Sequence, residues 1–254
     1  AAWASRVHPE LSKEDAIEKL WIEILDCSRV TDNPVDEWKK HVSNLSEKTD
    51  WLNKMNFKKL HYKSSKTDLV IELPENHIWQ SGSARDPQNI EFCPNIPTEE
   101  VYSMPHKYGV NGVVYSTKPL IYAGSLIDDF WIKFKDGKIV DFDAKSGKEN
   151  LNDLINTDDG SSRLGEVALV PYDSPISNTD TVFYNTLFDE NASCHLAIGA
   201  AYSSNIKNGE NMNEDEMDNA GMKSSLTHVE FMIGDKDLNI VESFQIFKDG
   251  NWSF

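Results

Sequence analysis

Cysteine is scarce: Cys27, Cys93 and Cys194 are the only three in 254 residues, and no two form a C-x-x-C pair. That spacing writes neither a disulfide scaffold nor a zinc knuckle, and it fits a reducing, cytoplasmic compartment. Basic residues are outnumbered, 25 Lys and Arg against 42 Asp and Glu, and they never cluster beyond a pair. Binding nucleic acid begins with phosphate neutralisation, so a formal net charge of −17 argues against nucleic acid as a partner. No apolar run approaches the ~20 residues of a spanning helix, and an acidic surface offers nothing to an anionic leaflet, so no membrane partner is expected. There is no H-E-x-x-H and no repeat at periods of about 20–50 residues, which removes the short metalloprotease motif and the solenoid architectures. What the acidic excess invites is a cation.

The residues that are present divide into a helical opening and a β-rich remainder. The first residues, Ala1 to Val7, read as the end of an element already under way, as in a fragment of a longer chain. Ser12 followed by Asp15 resembles a capping box, and Ile17, Leu20, Trp21, Ile24 and Leu25 recur at helical spacing, predicting a helix over about 12–28. Asn33-Pro34 starts a second, to about Asn56, with Val35, Trp38, Val42, Leu45 and Leu52 on one face. From Leu60 onwards short β-branched and aromatic runs alternate with Pro, Gly, Asn and Asp, and Lys135-Asp-Gly-Lys138 marks a hairpin. Further helices are expected at Gly147 to about Ile155 and at Glu190 to Tyr202. The fold class is therefore α+β: one domain over 1–254, with a helical hairpin at about 12–56 followed by a mixed β-rich body at about 60–254.

Three stretches place acids and imidazoles where packing alone does not require them. On a helix over 190–202, His195 and Tyr202 fall within about 20° of one face, with Gly199 leaving that face open. Such a face either holds a small ligand or buries a hydrogen-bonded core histidine. In Thr227 to Ile233, a strand turns His228 and Glu230 to one side, as a surface pair or as two ligands of one metal site. Leu164 to Val170 carries a single carboxylate, Glu166, in an apolar strand, and Glu99-Glu100 follow the rigid Pro97. Like charges side by side want a cation near them. Together, Glu100, Glu166, His195, His228 and Glu230 are an inventory suited to two divalent ions sharing a carboxylate.

The runs Asn95-Ile-Pro-Thr-Glu-Glu-Val101, Ser116-Thr-Lys-Pro-Leu120, Leu164-Gly-Glu-Val-Ala-Leu-Val-Pro171, Asp173-Ser-Pro-Ile-Ser177 and Phe183 to Ala197 carry a resemblance. From about Trp3 to Phe254 the chain resembles the C-terminal catalytic part of the thermophilic aminopeptidase family, of the aminopeptidase T and aminopeptidase S type. The resemblance implies metal ligands at Glu100, Glu166 (bridging), His195 and His228, and a catalytic tyrosine at Tyr202. It places Glu230 where the family has aspartate. It further implies two divalent ions per chain, zinc or cobalt with manganese and magnesium as further options, peptide substrates with a free N-terminus, and a homodimer. The resemblance also implies that the family's N-terminal α/β domain is not included in this stretch. Glu99, adjacent to ligand Glu100, is the expected general base or proton shuttle. The expected function is removal of N-terminal residues from peptides; the alternative is a catalytically silent metal-binding or dimerisation domain.

Overall fold

The opening helices form where their caps put them. The computed structural model describes residues 1–254. Ser12 Oγ accepts the Asp15 N–H at 3.1 Å, and the helix runs Lys13–Cys27. Pro34, with no N–H to leave unsatisfied, starts the helix Pro34–Met55, which ends where Asn56 turns left-handed at φ 49°. A short helix, Ala2–Val7, precedes both. The two long helices pack in different places. Ala16, Leu20 and Cys27 join Ile176, Phe183 and Phe188 in a satellite cluster, whereas Leu45 and Leu52 enter the main core.

The body is built from two large antiparallel sheets, beside a two-stranded ribbon of Ala84–Arg85 and Glu91–Phe92. The larger has nine strands. Its order is Lys138–Ser146, Ser125–Lys135, Val110–Tyr115, Asp68–Glu72, Lys59–Lys63, Asn239–Val241, Gln245–Lys248 and Asn251–Trp252, with Leu120–Tyr122 paired on Ser125–Lys135. The hairpin expected at 135–138 is present, with Asp136 and Gly137 both at positive φ, as a type I′ turn demands. The smaller sheet runs His228–Met232, His195–Gly199, Leu164–Leu169, Val101–Ser103 and Gln80–Ser81. The main apolar cluster draws on both sheets: Leu69, Ile71 and Phe134 from the larger meet Val167, Leu196, Ile198 and Phe231 from the smaller. The helix expected at 147–155 is found at Lys148–Ile155.

The helix expected over Glu190–Tyr202 is not. A short helix ends at Glu190, and His195–Gly199 is a strand, buried at every position. Leu196 and Ile198 face the main core while His195 and Ala197 face the other way. An apolar run hidden on both faces has no period that separates helix from strand.

Candidate metal centre

The pleat and register of the smaller sheet decide which side chains meet. In antiparallel pairs, directly opposed residues point to the same face, and along a strand alternate residues do. Ala197 pairs with Glu166 on one side and Glu230 on the other, Gly199 pairs with His228, and Ala168 pairs with both His195 and Tyr102. Glu166, His195, His228, Glu230 and Tyr102 therefore share the face opposite the core, and Glu100, two residues before Tyr102, joins them. Ala168 and Ala197, in the middle of that face, are small enough to leave a floor between the functional groups.

Above that floor lies a cavity of about 180 Å³ lined by Glu100, Glu166, Glu190, His195, Tyr202 and Glu230, among others. His195 Nε2 stands 3.0 Å from Glu100 Oε2 and 3.4 Å from Glu166 Oε1. His228 Nε2 stands 3.5 Å from Glu166 Oε2 and 3.2 Å from Glu230 Oε1. Glu166 thus turns one oxygen to each imidazole. Both rings are held the same way round. His228 Nδ1 donates to the Ala200 carbonyl at 2.7 Å and His195 Nδ1 lies 3.3 Å from the Ser193 carbonyl. A carbonyl only accepts, so the proton belongs on Nδ1 and Nε2 is left to face the carboxylates, the arrangement that metal-binding histidines use.

Charge at the site follows from this packing. Burial alone pushes Glu166 up, but the imidazoles of His195 and His228 beside it bring it down to about 2. Burial likewise opposes protonation of the histidines. The carboxylates win, lifting His195 well above its ordinary value and His228 to about 10. Burial raises Glu100 despite His195 alongside. Glu190, which no motif in the sequence singles out, is pushed up to about 8 by burial, with the carboxylates of Glu100, Glu230 and Glu166 adding to the effect.

The donor set fits a metal. Glu100, Glu166 and His195 offer donor atoms all within 4.8 Å of one another. His195 Nε2 is fully buried yet lacks a well-directed hydrogen bond despite the carboxylates beside it, an orphan that a cation between the three groups would satisfy. Imidazole nitrogen with carboxylate oxygen suits zinc and its first-row neighbours better than magnesium.

Tyr202 reaches the cavity by a different route from the one its spacing suggested. It lies just past the strand His195–Gly199, in the turn before Ser203–Asn205, and its ring centroid is 4.6 Å from that of His228. Burial, reinforced by the carboxylates, pushes its phenol up to about 12. Glu99 is not brought to the cavity. Its side chain turns away from that of Glu100 and is taken by the Arg29 guanidinium, with Nη2 donating to Oε2 at 2.8 Å. The two neighbouring acids thus part, Glu99 to Arg29 and Glu100 to His195.

A buried carboxylate thus lies between two oriented imidazoles on one sheet face. The chain belongs to the thermophilic metalloprotease (M29) family, whose sequence profile matches residues 1–252. It is 51% identical over 261 aligned residues to aminopeptidase AmpS of Bacillus subtilis (strain 168), and 49% identical over 260 to aminopeptidase 2 of Geobacillus stearothermophilus. These alignments cover 100% of this chain and 64% and 63% of the two relatives. Wild-type AmpT from Thermus thermophilus superposes with a TM-score of 0.92 at 39% identity, covering 99% of this chain and 62% of that one. The chain therefore spans somewhat under two thirds of the length of the proteins it matches. No helix is long and apolar enough to cross a membrane.

Proposed function

We propose that this chain carries the dinuclear centre of a metal-dependent aminopeptidase, which releases the N-terminal residue from peptides. The observation that carries the reading is Glu166, whose two oxygens each face a different imidazole. Glu100, Glu166 and His195 would hold one ion and Glu166, His228 and Glu230 the other. When bound, two divalent ions, zinc or cobalt and less fittingly manganese or magnesium, would polarise the scissile carbonyl and ease the ionisation of a water.

The protein's own groups do the rest. The carboxylate-rich cavity attracts the α-ammonium of a peptide, which selects substrates with a free N-terminus. Tyr202, with its phenol held up to about 12, keeps its proton through the working pH range and donates to the oxyanion as the carbonyl is attacked. Glu190, on the cavity lining, would give up its own proton once cations stand nearby, and the carboxylate so formed takes a proton from the attacking water and returns it to the leaving amine. That role falls to Glu190 in place of Glu99, whose carboxylate is engaged by Arg29. Three free cysteines are compatible with a cytoplasmic setting.

The experiment is hydrolysis of leucyl p-nitroanilide after chelation and after adding back Zn²⁺ or Co²⁺, with His195→Ala as control. Chelator-sensitive turnover, absent from His195→Ala, is the expected result. A second reading, a catalytically silent metal-binding or dimerisation domain, is favoured by Glu230 standing where the family pattern has aspartate. Bound metal without turnover would select it.

A further inference from the structure

The chemistry assigned above leaves a buried guanidinium–carboxylate pair unused. Glu99 is 3% exposed, and both of its oxygens accept from the Arg29 guanidinium, Oε1 from Nη1 and Oε2 from Nη2 at 2.8 Å. Arg29 sits in the turn between the two long helices, in the left-handed region at φ 54°. That turn is itself pinned, because Trp38 Nε1 donates to the Ser28 carbonyl at 2.8 Å.

The segment that receives this pair is held at two further points. His41 Nε2 meets the Thr98 carbonyl at 2.7 Å. On the other side, the Glu99 N–H donates to Asn191 Oδ1 at 2.7 Å, and Asn191 Nδ2 donates to the Leu187 carbonyl at 2.9 Å and faces Glu190 Oε1 at 3.4 Å. Asn191 is fully buried. One amide therefore ties the backbone just before Glu100 to the segment carrying Glu190.

We propose that Arg29 is a positioning residue for the metal centre: through Glu99, and with Asn191, it fixes the two segments that present Glu100 and Glu190 to the cavity. The proposal rests on the reading of the cavity as a metal centre. The fork of a guanidinium on a carboxylate sets orientation as well as charge, which an ammonium does not. A buried ion pair is weak evidence for stability, since apolar replacements of similar volume are often neutral. Its use here is geometric. Partners that orient ligands from behind typically change metal affinity or activity ten- to a hundredfold when lost. The helical opening is thus more than a packing element, because its turn holds the residue next to Glu100.

The test compares the parent chain with Arg29→Lys and with the double variant Arg29→Met/Glu99→Leu. Three properties are read: the thermal midpoint of chelated protein, Co²⁺ affinity by titration, and the visible absorption of the Co²⁺-loaded protein. Both variants are expected to keep a near-parental midpoint while losing about ten- to a hundredfold in Co²⁺ affinity, with a changed absorption band; Arg29→Lys, which keeps the charge but not the fork, loses less. Parental affinity and spectrum in Arg29→Lys would overturn the proposal even if the double variant failed to fold. Failure of the parent chain to bind Co²⁺ would overturn the metal-centre reading itself and take this proposal with it.

Discussion

Filling the centre with metal should expel protons, and the number follows from the site. In chelated protein at pH 7, His228 carries an extra proton, because the carboxylates hold it at about 10, and they favour the same proton on His195 by lifting it well above its ordinary value. Both Nε2 atoms must lose that proton to bind a cation, since Nδ1 is committed to a backbone carbonyl in each ring. Glu190, at about 8, retains about nine tenths of a proton at pH 7 and loses it once cations stand in the cavity. Filling both positions should therefore release about two protons at pH 7 from His228 and Glu190, with any held by His195 and Glu100 in addition. At pH 9, where Glu190 is already mostly ionised, the release should fall by about one. Isothermal titration of Zn²⁺ or Co²⁺ into chelated protein, repeated in buffers of different ionisation enthalpy, reads the count as a slope. A release below one proton at pH 7 would refute a protonated metal-free site and the assignment of both imidazoles as ligands.

Three further outcomes are expected. Tyr202→Phe removes one oxyanion donor, so kcat should fall about 10²- to 10³-fold with metal content unchanged; a near-parental kcat would exclude Tyr202 from the reaction. Leu52→Ala opens a cavity in the main core, where Leu52 is fully buried, and should cost about 2–5 kcal/mol in denaturant unfolding without altering metal binding. In chelated protein, Glu166 held at about 2 stabilises the fold above its ordinary 4.5, and that contribution is lost as pH falls towards 2. His228, raised from 6.5 to about 10, stabilises below 6.5 and loses its contribution as pH rises through 10. The thermal midpoint of chelated protein should therefore peak near pH 5–6 and decline on both sides; a flat profile up to pH 10 would contradict the paired histidines.

The legible parts of this fold are those in which local signals act alone. Ser12 and Pro34 mark helix starts because caps are decided within one turn, and Asp136-Gly137 marks a hairpin because both residues tolerate positive φ. His228 and Glu230 were placed on one strand face by period two, and the register bears that out. The strand His195–Gly199 was not legible: Ala and Leu favour a helix, and burial on both faces erases the alternation that would have spoken for a strand. His195 and Tyr202 were brought together for the wrong reason, by helical spacing rather than by a strand and the turn after it. Glu190 escaped because it ends a short helix and meets the other acids only through the tertiary fold. Arg29 escaped for the same reason, lying 70 residues from the Glu99 it clamps.

The central claim is that Glu166 serves two ions at once, and metal content tests it most directly. Protein dialysed against Zn²⁺ or Co²⁺, then freed of excess, should hold two ions per chain by elemental analysis, and Glu166→Ala should hold at most one. Two ions per chain retained by Glu166→Ala would contradict the bridging assignment.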